Sequence, residues 1–446
     1  MKASQLIAEF AVGFSSYPIS DHQRHIAYRA LLDTYACAIA GRHEHAVRIA
    51  ARYTAEQAGS GRAQAWGSGV RLPAEAAALV NGIAAHVLDY DDVMTPMRAH
   101  VSATLVPALA ALGPMAHADG RQYARAYIAG FEVMAKFART MALPHYSKGW
   151  HSTSALGILG TTTACAVLLG LSTDQIVHAL GLAVAQASGS RQNFGTMAKS
   201  FQSAHGAACA VRAALLAQHG MKASEDAIDG KYGFMALYAA NEDMAPSLAT
   251  LAQGGLEIDS IGIDVKKYPC CYALHRALDA VLDLRKGDGA LAARVAAVRV
   301  LTSAGGLQAL ISDRPDNGLQ AKFSMEYALA CALTDGAICL SSFSDDAVYR
   351  SDIQALMTRV QVIEAGGDIL PRWSQVSMEL NDGIVLERKV SIAHGDASDP
   401  LTDEELILKA EDCFAYGGYD IDARSFAKRI FDMADRPLET LLDPTD

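Results

Sequence analysis

Between residues 84 and 100 the sequence AAHVLDYDDVMTPMRAH places His86, Asp89, Asp91, Asp92 and His100 within fifteen positions. Three carboxylates flanked by two imidazoles suit a metal ion, suit proton transfer, or solvate a helix end, and the spacing leaves all three open. Three further polar clusters stand in apolar surroundings. PHYSKGWHSTSALG carries His145, Tyr146, Lys148 and His151; SGSRQNFGTMAKSFQSAHGAA carries Arg191, Lys199 and His205; KKYPCCYALHRALD carries Lys266, Lys267, Cys271, His275 and Arg276. Singly, each has an ordinary reading: a solvated terminal lysine, a core histidine bonded to a carbonyl, charges decorating a helix. Together they put cations and imidazoles in glycine-rich or turn-like segments, where catalytic groups concentrate, and such a set converging on a cleft suits an anionic substrate.

Other signatures are missing. There is no G-x-G-x-x-G, no G-x-x-x-x-G-K-[ST], no H-E-x-x-H and no G-x-S-x-G, so neither a nucleotide nor an activated serine is indicated. The eight cysteines form no C-x-x-C pair, which argues against a zinc site or a disulfide framework. A formal charge of −11 argues against a nucleic-acid or anionic-membrane surface, although local cations can oppose the global sign. The N-terminal segment has no long uncharged core and no long uninterrupted apolar run follows, so the chain is read as cytoplasmic and not membrane-spanning.

These clusters need elements to hold them. With 446 residues, two domains are expected. The first 264 residues are rich in Ala and Leu and read as successive helices. Pro73 opens one, Gly41 closes another, Ser172 and Gln175 form a capping box, and proline breaks the helix of SATLVPALAALGPMA. Residues 293–305 and 373–395 are strand-like, the latter a hairpin around Asn381-Asp382-Gly383, with helical stretches between them. Thr402 and Glu405 then cap a further helix. The pattern predicts a mainly α chain: a large all-helical domain (1–264 and 396–446) with a smaller α+β lid domain (265–395) inserted near the C-terminal third.

The segments NGIAAHVLDYDD, GWHSTSALG, GTMAKSFQSAHGA, KKYPCCYALHRALDA and KFSMEYALA, in this order and spacing, resemble the MmgE/PrpD family over most of the chain. The resemblance implies a homodimeric, cofactor-free, metal-free enzyme acting on a small anionic polycarboxylate. It maps active-site positions onto Asp89, His151, Lys199 and Lys266. His100 is a candidate for a family histidine, one residue out of register, and Cys271 stands where some members have histidine. In length and these local features the nearest branch is that of iminodisuccinate epimerase.

The expected chemistry is therefore epimerisation at the carbon next to a carboxylate, by two-base proton transfer. His151 and Lys199 are the expected pair, with Lys266 and Tyr146 competing and Asp89 orienting a cation or imidazole. Arg98, His100, Arg191, Cys271 and His275 are substrate-binding candidates, and Cys271 in a cationic site could carry a lowered pKa and serve as a base. The alternatives are a hydro-lyase or decarboxylase on a tricarboxylate, and a non-catalytic carboxylate-binding protein.

Overall fold

A computed structural model describes residues 2–238, 243–251, 253, 255–310 and 314–441. The chain is mainly α, with one four-stranded sheet in its C-terminal part. Two hydrophobic cores organise it. One gathers residues from Ala3 to Val265 together with Leu340 and the returning segment Leu401–Leu438. The other runs from Tyr268 to Leu380 and underlies the sheet.

The small residues of the helical body let its helix axes approach closely. In the Ala74–His86 helix, a Cβ on Gly82 would lie 2.9 Å from Ala204 Cα, in the middle of the Ala198–Gln218 helix. This contact has a direct consequence for chemistry: it sets the end of one helix, which leads into Asp89, beside the start of the other, which carries Lys199. The same device joins Gly120–Ser147 to Gly157–Leu169, where a Cβ on Gly160 would meet the Gly130 carbonyl oxygen at 2.5 Å. Gly160→Ala is therefore expected to destabilise the fold by about 1–3 kcal/mol through overpacking, read as a lower urea midpoint at unchanged slope.

The capping boxes at Ser172–Gln175 and Thr402–Glu405 are present, and Ser152–Leu169, an apolar 18-residue stretch, is 94% buried. One expectation needs correcting. Ser102–Ala116 is a continuous helix with Pro107 and Pro114 inside it. Its residues from Ser102 to Pro114 are all buried, so packing on every side outweighs the loss of a helical hydrogen bond at each proline.

In the sheet, Val295–Thr302 pairs in parallel with Val360–Glu364 (Val298 opposite Val360) and antiparallel with Ser374–Leu380 (Val300 opposite Val376). Ser374–Leu380 continues into Val385–Val390 through the hairpin, whose Gly383 has φ 83°. The strand Val360–Glu364 has no counterpart in the sequence reading, because its short VQVIE run is mostly half-exposed and shows no clean alternation. The His275–Arg285 and Met325–Asp335 helices pack on each other and over this sheet.

The sheet unit is tied to the helical body close to the polar clusters. Val93 and Asp264 exchange backbone hydrogen bonds at 2.8 and 2.9 Å, and Val265 N–H donates to the Gly395 carbonyl at 2.8 Å. The Asp264 carboxylate accepts from Thr95 N–H at 3.2 Å and Ala397 N–H at 2.8 Å, so one buried side chain pins three segments.

Candidate active site

Asp89 follows the Ala74–His86 helix in a left-handed conformation, φ 54°, which is uncommon for a residue other than glycine. That turn lifts the carboxylate into the reach of two lysines. Lys199, at the start of its helix, bonds Asp89 Oδ1 directly. Lys266, fully buried, places Nζ 3.0 Å from Asp89 Oδ2 and donates to the Asp89 carbonyl oxygen at 2.7 Å. Burial alone would push the Asp89 carboxyl up, but Lys199 and Lys266 hold it far below the usual carboxylate range. Burial likewise works against the Lys266 ammonium, and Asp89 and Asp91 more than reverse it, raising its pKa.

Asp91 sits behind this group. His86 Nδ1 lies 2.9 Å and His100 Nδ1 3.2 Å from Asp91 Oδ2, and the two imidazole rings meet edge-on at 4.4 Å between centroids. The two imidazoles overcome the burial of Asp91 and keep it ionised, and the His86 ring proton belongs on Nδ1. His100 Nε2 lies 3.7 Å from Asp89 Oδ1. Burial brings His100 down to about 4 and holds it neutral. His151 is also driven well below its ordinary pKa by burial, reinforced by His86 and Lys199. The Gln202 side-chain amide stands 3.3 Å from His151 Nδ1 and donates to it, which leaves the His151 proton on Nε2.

Asp89, His100, His151, Lys199, Lys266, Tyr146, Arg98 and Cys271 all line one cleft of about 510 Å³ between the helical body and the sheet unit. The Tyr146 ring is sandwiched by two guanidiniums, Arg191 at 3.9 Å and Arg98 at 5.1 Å, and burial keeps its phenol protonated. The rings of Phe194 and Phe323 flank Lys199 Nζ at 5.6 and 5.3 Å.

Several residues play parts other than those expected. His275 does not line the cleft. It is wholly buried between the rings of Tyr268 and Tyr272, at 5.1 and 4.9 Å, because its helix turns that face to the core of the sheet unit. Arg191 does not line it either: its guanidinium is engaged by the carbonyl oxygens of Tyr146 (3.0 Å) and Gln308 (2.6 Å) and braces the two units. The Cys271 thiol is raised, not lowered, since burial and the Asp89 charge outweigh Lys266, so it is no base. Asp91 does not solvate a helix end: it is wholly buried between the imidazoles of His86 and His100. Arg276, Arg372 and Thr153 line the cleft without having been singled out as binding residues. Arg276 was visible within KKYPCCYALHRALD; Arg372 sits in a loop with no motif around it.

His86, Asp89 and His100 offer ligand atoms within 4.8 Å of one another. A dication there would have to displace or face two ammonium groups already on Asp89, so the site's charge is matched by its own side chains.

Asp92 serves the fold. It accepts from Ser102 N–H at 3.2 Å and from Ser102 Oγ–H at the start of the Ser102–Ala116 helix, and Ser102 Oγ also meets Tyr127 OH at 2.7 Å. Among the described residues no cation pairs with Asp92, and burial raises its pKa to about 8, with Asp33 adding to the effect. The folded state therefore binds a proton that the unfolded chain loses near pH 4, and this carboxyl costs stability progressively between pH 4 and pH 8. Asp92→Asn, which keeps the acceptor oxygen, is expected to be more stable than wild type at pH 8, with the gain vanishing toward pH 4. Urea unfolding at both pH values reads it.

Comparison with known proteins now bears on this arrangement. The MmgE/PrpD N-terminal domain model matches residues 5–247 and the MmgE/PrpD C-terminal domain model residues 268–428. The chain belongs to the MmgE/PrpD family. Among curated relatives, the cis-aconitate decarboxylase of Homo sapiens is 27% identical over 392 residues, covering 85% of this chain and 80% of its own length. The cis-aconitate decarboxylase of Mus musculus is 28% identical over 400 residues, with the same coverage. That of Aspergillus terreus is 25% identical over 405 residues, covering 85% and 82%. Each is named a decarboxylase, which makes it a lyase, and this overturns the expectation that the chain is an isomerase.

Proposed function

We propose that this protein is a decarboxylase acting on a cis-aconitate-like polycarboxylate. The observation that carries the reading is the buried Lys199–Asp89–Lys266 cluster beside two neutral imidazoles, at a cleft with additional arginines. The names of the relatives agree with it.

In the reaction the C–C bond to one carboxyl breaks and carbon dioxide leaves. The electron pair stays on the carbon frame, delocalised through the double bond towards a second carboxylate, and a proton then forms a new C–H bond. One tricarboxylate and one proton give one dicarboxylate and one carbon dioxide. The cleft supplies what each stage needs. Lys266 and the arginines stabilise charge as it moves towards the retained carboxylates. Lys199, bonded to Asp89 and lining the cleft, delivers the proton. His151, with its proton on Nε2, donates a hydrogen bond.

Incubating purified protein with cis-aconitate should release carbon dioxide in equal amount to an unsaturated dicarboxylate seen by proton NMR. Gain or loss of water without carbon dioxide, or an unchanged substrate, would overturn the reading.

A further inference from the structure

Three guanidinium groups line the cleft besides Lys199 and Lys266: Arg98 from the helical body, and Arg276 and Arg372 from the sheet unit. Their counter-charges are sparse. Arg98 donates to the Gln308 side-chain oxygen at 2.9 Å, and Arg372 to the Ala304 carbonyl at 3.4 Å, both neutral acceptors. Arg276 donates to the Ser391 carbonyl at 2.8 Å, while its carboxylate partner Asp396 lies at 3.8 Å, beyond hydrogen-bond distance. Asp368 lines the same cleft, yet no ion pair joins it to Arg372 among the described residues. Burial, followed by repulsion from Arg98 and Arg276, brings the Arg372 guanidinium down to about 10, with Glu364 only partly offsetting this.

A second observation points the same way. The Arg276 guanidinium packs over the Tyr272 ring at 5.6 Å, and Tyr272 also lines the cleft. The Tyr272 hydroxyl is buried and has no hydrogen-bond partner among the described residues. A buried, unmatched hydroxyl beside under-compensated guanidiniums costs free energy, and a carboxylate bound among them would supply the missing acceptor and counter-charge. Guanidinium forks match the planar carboxylate two bonds at a time, and the phenol adds a third donor.

We propose that Arg276, Arg372 and the Tyr272 hydroxyl, closed by Arg98, form a second carboxylate subsite, filled by the third carboxylate of a tricarboxylate whose other two are engaged at Lys199 and Lys266. This rests on the polycarboxylate reading above. Because Arg98 comes from one unit and the other three residues from the sheet unit, filling the subsite draws the two walls of the cleft together. The subsite also sets substrate class: it rewards a molecule with one more carboxylate than the reacting end needs.

The test compares two probes that share a carbon chain and differ by one carboxylate, propane-1,2,3-tricarboxylate and glutarate, by titration calorimetry. Wild-type protein should bind the tricarboxylate at least about tenfold more tightly, as expected for charge-assisted hydrogen bonds. Arg372→Met and Arg276→Met should each remove most of that preference while changing glutarate affinity less than about twofold. Tyr272→Phe should reduce it by a smaller factor, and Arg372→Lys should recover part of it. Equal weakening for both probes, marking a merely structural role, would overturn the proposal. So would wild-type affinity in the methionine variants, or no tricarboxylate binding by wild type. The two readings fail separately: tricarboxylate preference without carbon dioxide release sinks the decarboxylase and leaves the subsite. Carbon dioxide release without that preference does the reverse.

Discussion

Lys199→Ala is expected to lower carbon dioxide release from cis-aconitate by about a thousandfold, with KM changed far less than kcat. The lysine is the cleft-lining ammonium bonded to Asp89 Oδ1 between two aromatic rings, so its removal takes away the proton source and leaves a water-poor gap. Lys199→Arg keeps the charge but not the chemistry, since a guanidinium surrenders its proton too reluctantly to protonate carbon, and it should not restore kcat. The fold should survive either change, because Asp89 keeps Lys266 as a partner at 3.0 Å. A melting curve close to that of wild type, together with single-turnover kinetics, separates lost chemistry from lost structure. Lys199→Ala turnover within tenfold of wild type would remove the lysine from the mechanism.

Much of the site was legible because its residues sit where helices begin and end. Asp89 and Lys199 lie at the ends of two alanine-rich helices, and the small residues that mark those helices as closely packed also bring the ends together. Lys266 is legible only through family resemblance, because nothing local distinguishes a buried lysine from an exposed one in KKYP. The left-handed turns at Asp89 and Arg98 were not legible at all: neither is glycine, and tertiary contacts impose them. Arg372 illustrates the general limit. It reaches the cleft because Ser303 N–H bonds the Trp373 carbonyl at 3.0 Å and anchors its loop against the sheet, a pairing between residues seventy apart. His275 shows the converse error. It was grouped with the cations around it by proximity in sequence, while the helix it begins turns that side chain inward.

The reaction type was misread for a different reason. Epimerisation and decarboxylation next to a carboxylate need the same equipment, namely cations to hold carboxylates and a group to deliver a proton to carbon. Residue types alone cannot separate them. The identity of the bond that breaks depends on which carboxylate is held where, and in the proposed reading that is set by side chains from both units.

Asp89→Asn should be the most damaging conservative change in the protein. Asparagine tolerates the left-handed backbone that Asp89 adopts, so the substitution removes charge and little else. What remains is two buried ammonium groups facing a neutral amide. Loss of one partner from a buried ion pair costs about 3–5 kcal/mol, and activity should fall at least a hundredfold because Lys199 loses its bonded partner and Lys266 loses the charge that holds it protonated. The pH dependence gives the sharper reading. In wild type the Asp89 carboxyl is held far below its ordinary pKa, so its contribution is complete above about pH 4 and is lost only in strong acid. Lys266 is raised in wild type, so its contribution is present below its unfolded pKa and disappears only at high pH. In Asp89→Asn, burial acts on Lys266 without its main opposing charge, and its pKa should fall below that of the unfolded chain. The unfolded state then binds the extra proton, and stability rises with pH between about 7 and 10 in the variant but not in wild type. Urea unfolding at pH 7 and pH 10 detects this crossing of slopes. Parallel pH profiles would mean that Asp89 does not set the charge of Lys266, and the cluster would lose its role as the proton-holding centre of the site.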